Sequence, residues 1–170
     1  MPTVHLICGS TGAGKTTYAI ALTERAGAIR FSIDEWMAAL FVADAPATPD
    51  LAWGLDRTGR CEVQIWEVSR QVLARGLDVV LDLGLSKRAH RDRFRALARE
   101  AGAPSRLHYL DVDRETRRAR VRTRNAERTG TFSVEVTDFM FDFMEGWFEP
   151  PDGDELEGAA HIVGSGSPGA

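Results

Sequence analysis

A chain of 170 residues is long enough for one domain with a real core and too short for two ordinary ones. Its 44% hydrophobic and 27% charged residues suit a globular protein, and no apolar run approaches the roughly 18 residues of a membrane span. The net charge of −4 offers no global field for nucleic acid, and Cys8 and Cys61 match neither a disulfide framework nor a zinc spacing. Small-molecule partners, no membrane and a cytoplasmic location are the expectation. The sequence carries no signal for an oligomeric state.

In chain order, Thr3 to Cys8 is a short apolar run that reads as a strand rather than a signal peptide, ending at Gly9. Thr16 to Ala26 places Ala19, Leu22 and Ala26 at helical spacing before a stop at Gly27. Ala28 to Ile33 predicts a second strand that delivers Asp34, followed by a short helix through Met37, Leu40 and Phe41. Val42 to Gly59, with Pro46, Pro49, Gly54 and Gly59, reads as an irregular stretch able to cover a substrate. Glu62 to Arg75 predicts a helix with Ile65, Val68, Val72 and Leu73 on one face. Leu77 to Leu83 is apolar apart from Asp78 and Asp82, as in a strand covered on both faces.

Ser86 is the expected cap of a helix carrying Phe94, Leu97, Ala98 and Ala101, and Arg106 to Val112 predicts a fourth strand. Phe139 to Phe148 is apolar nearly all round and is expected to pack as core, with Pro150 and Pro151 ending it. His161 to Val163 supplies a short fifth strand. Alternating strands and helices call for a parallel sheet with right-handed crossovers and helices on both faces, an α/β fold. The expected organisation is a single domain over 1–163, with a flexible tail at 164–170.

The segment GSTGAGKT satisfies GxxxxGK[ST] between a predicted strand and a predicted helix, the setting of a phosphate-binding P-loop. Gly9, Ser10, Thr11, Gly12, Ala13, Gly14, Lys15 and Thr16, with Thr17, are the expected nucleotide-binding residues. Backbone N–H groups and the helix N-terminus face the phosphates, Lys15 adds a charge, and Thr16 is placed to hold Mg²⁺. Of 21 basic residues only Lys15 and Lys87 are lysines, so a lysine here suits a site needing a slim ammonium. No guanine-reading NKxD occurs, which favours ATP. The strand VVLDLG places Leu83 where motor-type ATPases carry a water-activating glutamate.

Asp34, in FSIDEW, and Asp82 lie at the expected ends of neighbouring strands, which in this topology face one crevice. Asp34 is a candidate general base or metal contact, with a helix cap as the alternative; Asp82 is a candidate metal-associated acid. Arg117, Arg120, Arg124 and Arg128 recur at helical spacing in a lid region at about 114–132, able to neutralise phosphate charge or simply to remain solvated. Arg88 and Arg91 read as a solvated face. Trp36 and Trp53, with Arg57 and Arg60, are candidates for an acceptor pocket.

Taken together, GSTGAGKT, FSIDEW, VVLDLG and RVRTRN resemble bacterial P-loop kinases of the zeta-toxin, chloramphenicol phosphotransferase and polynucleotide kinase type, often labelled AAA-family ATPase. The resemblance covers about Thr3 to Pro151. It implies a nucleoside-kinase-like three-layer P-loop NTPase fold with a five-stranded parallel sheet, ATP and Mg²⁺, Asp34 as catalytic base, and Arg120 and Arg124 as lid arginines. The implied activity is transfer of the γ-phosphate to a hydroxyl of a small molecule. A nucleotide-dependent binding switch or slow ATPase without an acceptor is the alternative.

Overall fold

The computed structural model describes residues 1–46, 48, 50–128 and 135–164. Five strands form one sheet: β1 (Val4–Cys8), β2 (Ile29–Ser32), β3 (Val79–Asp82), β4 (Ser105–Asp111) and β5 (Ala160–Val163). Their order across the sheet is β2-β3-β1-β4-β5, and every neighbouring pair is parallel. Six α-helices join or follow them: α1 (Lys15–Ala26), α2 (Ile33–Phe41), α3 (Leu51–Leu73), α4 (Arg88–Glu100), α5 (Arg114–Glu127) and α6 (Asp138–Trp147).

Period-two alternation divides the core between the two sheet faces. Val4, Leu6 and Cys8 of β1 join Val79 and Leu81 of β3 in one cluster with Ile65 and Trp66 of α3 and Phe94 of α4. Ile7 and Val80 point the other way, onto Tyr18, Ala19 and Leu22 of α1. Each fully buried aliphatic side chain contributes about 1.5–3 kcal/mol, so both faces are strongly driven to stay covered. On the α1 face, Tyr18, His108, His5 and Asp78 form a chain of contacts at 2.8, 2.9 and 3.2 Å. Burial, reinforced by His5 and nearby arginines, pushes the His108 pKa down to about 3, so this imidazole is neutral at ordinary pH.

Several expectations change. The second strand stops at Ser32, whose hydroxyl caps α2 by accepting from the Glu35 N–H at 3.4 Å, so Asp34 belongs to the first turn of α2. The irregular stretch gives way to helix from Leu51, because the Asp50 carboxylate caps the Trp53 N–H at 3.1 Å. Gly54 and Gly59 each cost about 1 kcal/mol there relative to alanine, which packing such as Phe41 against Trp53 offsets.

Ser86 does not cap α4 either. The Glu149 carboxylate accepts the Arg88 N–H at 2.9 Å from 61 residues away. Arg91 is fully buried rather than solvated, and Arg88 pairs with Asp152 and Asp154. The aromatic helix is not core: only Phe141 of α6 is buried, while Phe139 is 80% exposed and Phe143 50% exposed. Both sheet faces are already covered by α1, α3 and α4, which leaves α6 to pack beside the P-loop and the end of β3. Residues 165–170 of the expected tail and 129–132 of the expected lid lie outside the described residues. Among the described residues no helix is long and apolar enough to cross a membrane.

Candidate active site

The loop from Gly9 to Gly14 turns between β1 and α1 at the C-terminal edge of the sheet. Gly12 has φ +81°, and a Cβ there would lie 2.6 Å from the Arg117 carbonyl oxygen, so the loop backbone passes directly under α5. Gly14, left-handed at φ 91°, starts α1 with no side-chain cap. The first N–H groups of α1 therefore remain available at the positive end of the helix dipole, an arrangement that binds phosphate. Lys15 folds back across the loop, donating to the carbonyls of Gly9 at 2.9 Å and Ser10 at 3.2 Å. Burial lowers the Lys15 pKa, opposed by the carboxylates of Asp82 and Asp34.

Above the loop lies a cavity of about 290 Å³. Gly9 to Gly12 and Gly14 to Thr17 form its floor, while Ala13 is buried beneath. One side is built from Ile33 and Asp34 of α2 together with Asp82, Gly84 and Ser86 at and after the end of β3. Ser32 and Asp82 sit in register on β2 and β3, which is how the two carboxylates come to share a crevice. Asp82 is buried and accepts from Arg30 at 3.2 Å. Desolvation raises its pKa, while Lys15, the Thr16 hydroxyl and Arg30 pull it down. Asp34 is exposed to the cavity.

The arginines of α5 separate into distinct roles. Arg117 is buried and donates to the Thr11 carbonyl at 3.2 Å and to both Glu145 oxygens at 2.6 and 2.7 Å. Glu145 also accepts from the Ser10 hydroxyl at 3.3 Å, and its pKa is lowered chiefly by Arg117. Arg117 thus binds P-loop, α5 and α6 together. Arg120 reaches the Ala13 carbonyl at 3.5 Å, and Arg128 lies 3.4 Å from Glu135. Arg124 lines the cavity, and its Nε is buried with no hydrogen-bond partner among the described residues. An unmade buried hydrogen bond costs about 1–3 kcal/mol, which an anionic ligand would recover.

None of Trp36, Trp53, Arg57 and Arg60 lines this cavity. Trp36 packs edge-on to Phe31, and Trp53 sits between Phe41 and the Arg57 guanidinium, 4.6 Å from its ring. Asp56 pairs with Arg57 at 3.2 Å and lies 3.6 Å from Arg60. The continuous α3 directs Trp53, Arg57 and Arg60 toward α2 and solvent, while Trp36, on α2, packs against the core cluster of one sheet face. The remaining wall comes instead from Val136 and from Met140, Met144 and Phe148 in and just after α6. Sequence reasoning missed that wall and the Arg117–Glu145 pair; the available signal was the three carboxylates Asp138, Asp142 and Glu145 set among the apolar residues of α6, ready to pair with an arginine-rich helix.

Residues 4–151 match a family of AAA domains, AAA_33. The chain belongs to that family. This AAA domain superposes on a sugar kinase from Janibacter sp. HTCC2649 with a TM-score of 0.62 at 19% identity, over 96% of this chain and 84% of that one. Chaetomium thermophilum Kti12 in complex with ADP-AlF3 gives 0.69 at 17% identity, over 94% and 87%. A gluconokinase from Sinorhizobium meliloti 1021 gives 0.61 at 20% identity, over 95% and 82%. At such identities the likeness establishes the fold, a P-loop NTPase of the kinase type with a five-stranded parallel sheet. A search of curated proteins gives no match.

Proposed function

We propose that this AAA domain is an ATP-dependent phosphotransferase that moves the γ-phosphate to a hydroxyl of a small-molecule acceptor. The observation that carries the reading is the convergence on one cavity above the P-loop of Lys15, Asp34 and the Arg124 Nε, which has no partner among the described residues. In this mechanism the loop N–H groups and the start of α1 hold the triphosphate, and Lys15 leaves its loop carbonyls to meet the β- and γ-phosphates. Asp34 accepts the acceptor's hydroxyl proton as its oxygen bonds to the γ-phosphorus. The bond to the β-phosphate oxygen breaks and ADP leaves with the electron pair. Arg124 donates to the γ-phosphate oxygens, where charge spreads.

Thr16, Asp82 and Asp34 offer hydroxyl and carboxylate oxygens around the same space, a donor set that fits Mg²⁺, which takes one or two carboxylates together with phosphates and water. Bound there, the ion would neutralise phosphate charge. Leu83, buried where a water-activating carboxylate would otherwise stand, favours transfer to an acceptor over hydrolysis.

The test is a screen of hydroxylated metabolites, nucleosides and antibiotics with γ-labelled ATP, run alongside two variants. Asp34→Asn should lose label transfer by about 10²-fold or more while keeping its ATP affinity. Lys15→Ala should weaken triphosphate binding, and unchanged affinity there would sink the nucleotide site itself. ATP binding with no label on any acceptor would instead support a nucleotide-dependent switch.

A further inference from the structure

The cavity is chemically two-sided. At the phosphate end lie the loop, Lys15 and Arg124; apart from the carboxylates of Asp34 and Asp82, the rest of the lining is Ile33, Gly84, Ser86, Val136, Met140, Met144 and Phe148, so Ser86 carries its one other polar side chain. Among the described residues lining the cavity, Lys15 and Arg124 are the only cations. Among the described residues on the β2–β3 side, two other basic side chains stand next to lining residues, and both are already paired: Arg30 with Asp82 and Glu35, and Lys87, next to Ser86, with Glu149. An acceptor carrying its own carboxylate or phosphate would therefore meet no counter-charge away from the nucleotide. A polyol would find thioethers and a phenyl ring where its hydroxyls need partners.

Resting on the phosphotransferase reading above, we propose that the acceptor is an uncharged alcohol carried on an apolar, ring-bearing body that lies against Met140, Met144 and Phe148. Phe148 supplies a fixed surface, since its ring stacks on Tyr109 at 6.4 Å and 29°. Met140 and Met144 are unbranched and polarizable, and so adapt to rings of different outline. This explains why a helix rich in Met and Phe is left outside the core: part of its apolar face is ligand wall. It also separates this site from one built for a sugar acid.

The experiment compares benzyl alcohol, phenylethanol and naphthylmethanol with glucose and gluconate. Binding is read by saturation-transfer NMR in the presence of a non-hydrolysable ATP analogue, and transfer is read separately with γ-labelled ATP. The aryl alcohols should bind, glucose and gluconate should not, and Met144→Glu should weaken aryl-alcohol binding about ten-fold without changing analogue affinity. Met140→Gln, at a position 41% exposed and so tolerant of substitution, should weaken it in the same direction by less. Preferential binding of glucose or gluconate overturns the inference, as does aryl-alcohol binding that ignores both variants or fails altogether. Met144-dependent binding without label transfer supports the inference while failing the phosphotransferase reading. Label on gluconate or glucose keeps that reading and rejects this one.

Discussion

Two arginine-rich helices, α4 and α5, use their charge in opposite ways. On α4, Arg91 has no exposed surface: its guanidinium meets Glu155 at 2.8 and 2.7 Å and the carbonyls of Leu85 and Glu149 at 3.1 and 2.9 Å. On α5, Arg124 lies in the cavity with its Nε unpartnered among the described residues. Both residues sit in helices thick with arginine, so composition does not separate them. The difference is where carboxylates arrive. Glu155, 64 residues beyond Arg91, folds back into α4, whereas the acids near α5 are taken by its other arginines: Glu145 by Arg117, and Asp138 and Asp142 by Arg118. The structural arginine is the one that a carboxylate reaches; the arginine proposed to bind ligand is the one left, among the described residues, with a donor to give.

The comparison can be broken at three points. The largest effect is expected from Arg91→Ala, which takes from the buried Glu155 its fully buried partner and leaves it only the partly exposed Arg95 at 2.9 Å; it should cost about 3 kcal/mol in denaturant unfolding, with ATP affinity unchanged in the folded fraction. If Arg91→Ala instead abolishes ATP binding without loss of stability, the two roles have been assigned the wrong way round. Next comes Arg124→Ala, expected to lower the rate of phosphoryl transfer by about 10²–10³-fold. Its unfolding free energy should stay within about 0.5 kcal/mol of the parent, because no protein bond is lost. A stability loss as large as that of Arg91→Ala would erase the distinction.

The smallest effect is predicted for Glu145→Gln, which weakens the Arg117 contact on a partly exposed side chain and should cost about 1–2 kcal/mol at neutral pH. Its pH dependence has a definite sign. Arg117 holds the folded-state Glu145 pKa below the ordinary value of 4.5, so the stabilisation is complete above 4.5 and is lost as pH falls through the lowered value. Urea titrations of parent and Glu145→Gln should therefore differ at pH 7 and converge in acid. A gap that persists in acid would mean that the second acceptor oxygen of the carboxyl group, not its charge, joins α6 to the P-loop.

Much of the fold was legible in advance because its signals are local. β1, the glycine loop and α1 follow from an apolar run, a glycine pattern and a helical repeat that need no distant partner. The less accurate expectations share a physical cause, a partner from far along the chain. Ser86 is the local candidate to cap α4, but Glu149 does it; Gly54 and Gly59 suggest a loop, but packing of α2 on α3 keeps the segment helical. Similarly, Trp36 and Trp53 look like pocket residues because they are close to Asp34 in sequence. Helical geometry turns them away, and Met140, Met144 and Phe148 come in from more than 100 residues later.

By itself, then, the sequence determined the phosphate loop, the parallel α/β alternation and the Asp82 carboxylate at the end of its strand. Those features depend on backbone conformation and on side-chain periods of 2 and 3.6 residues, which short stretches of chain encode directly. Only the tertiary structure decided which arginines are structural, which helix walls the cavity and why an apolar helix lies outside the core. Each of those depends on competition among distant groups for a limited set of carboxylates and for a sheet surface that α1, α3 and α4 already cover.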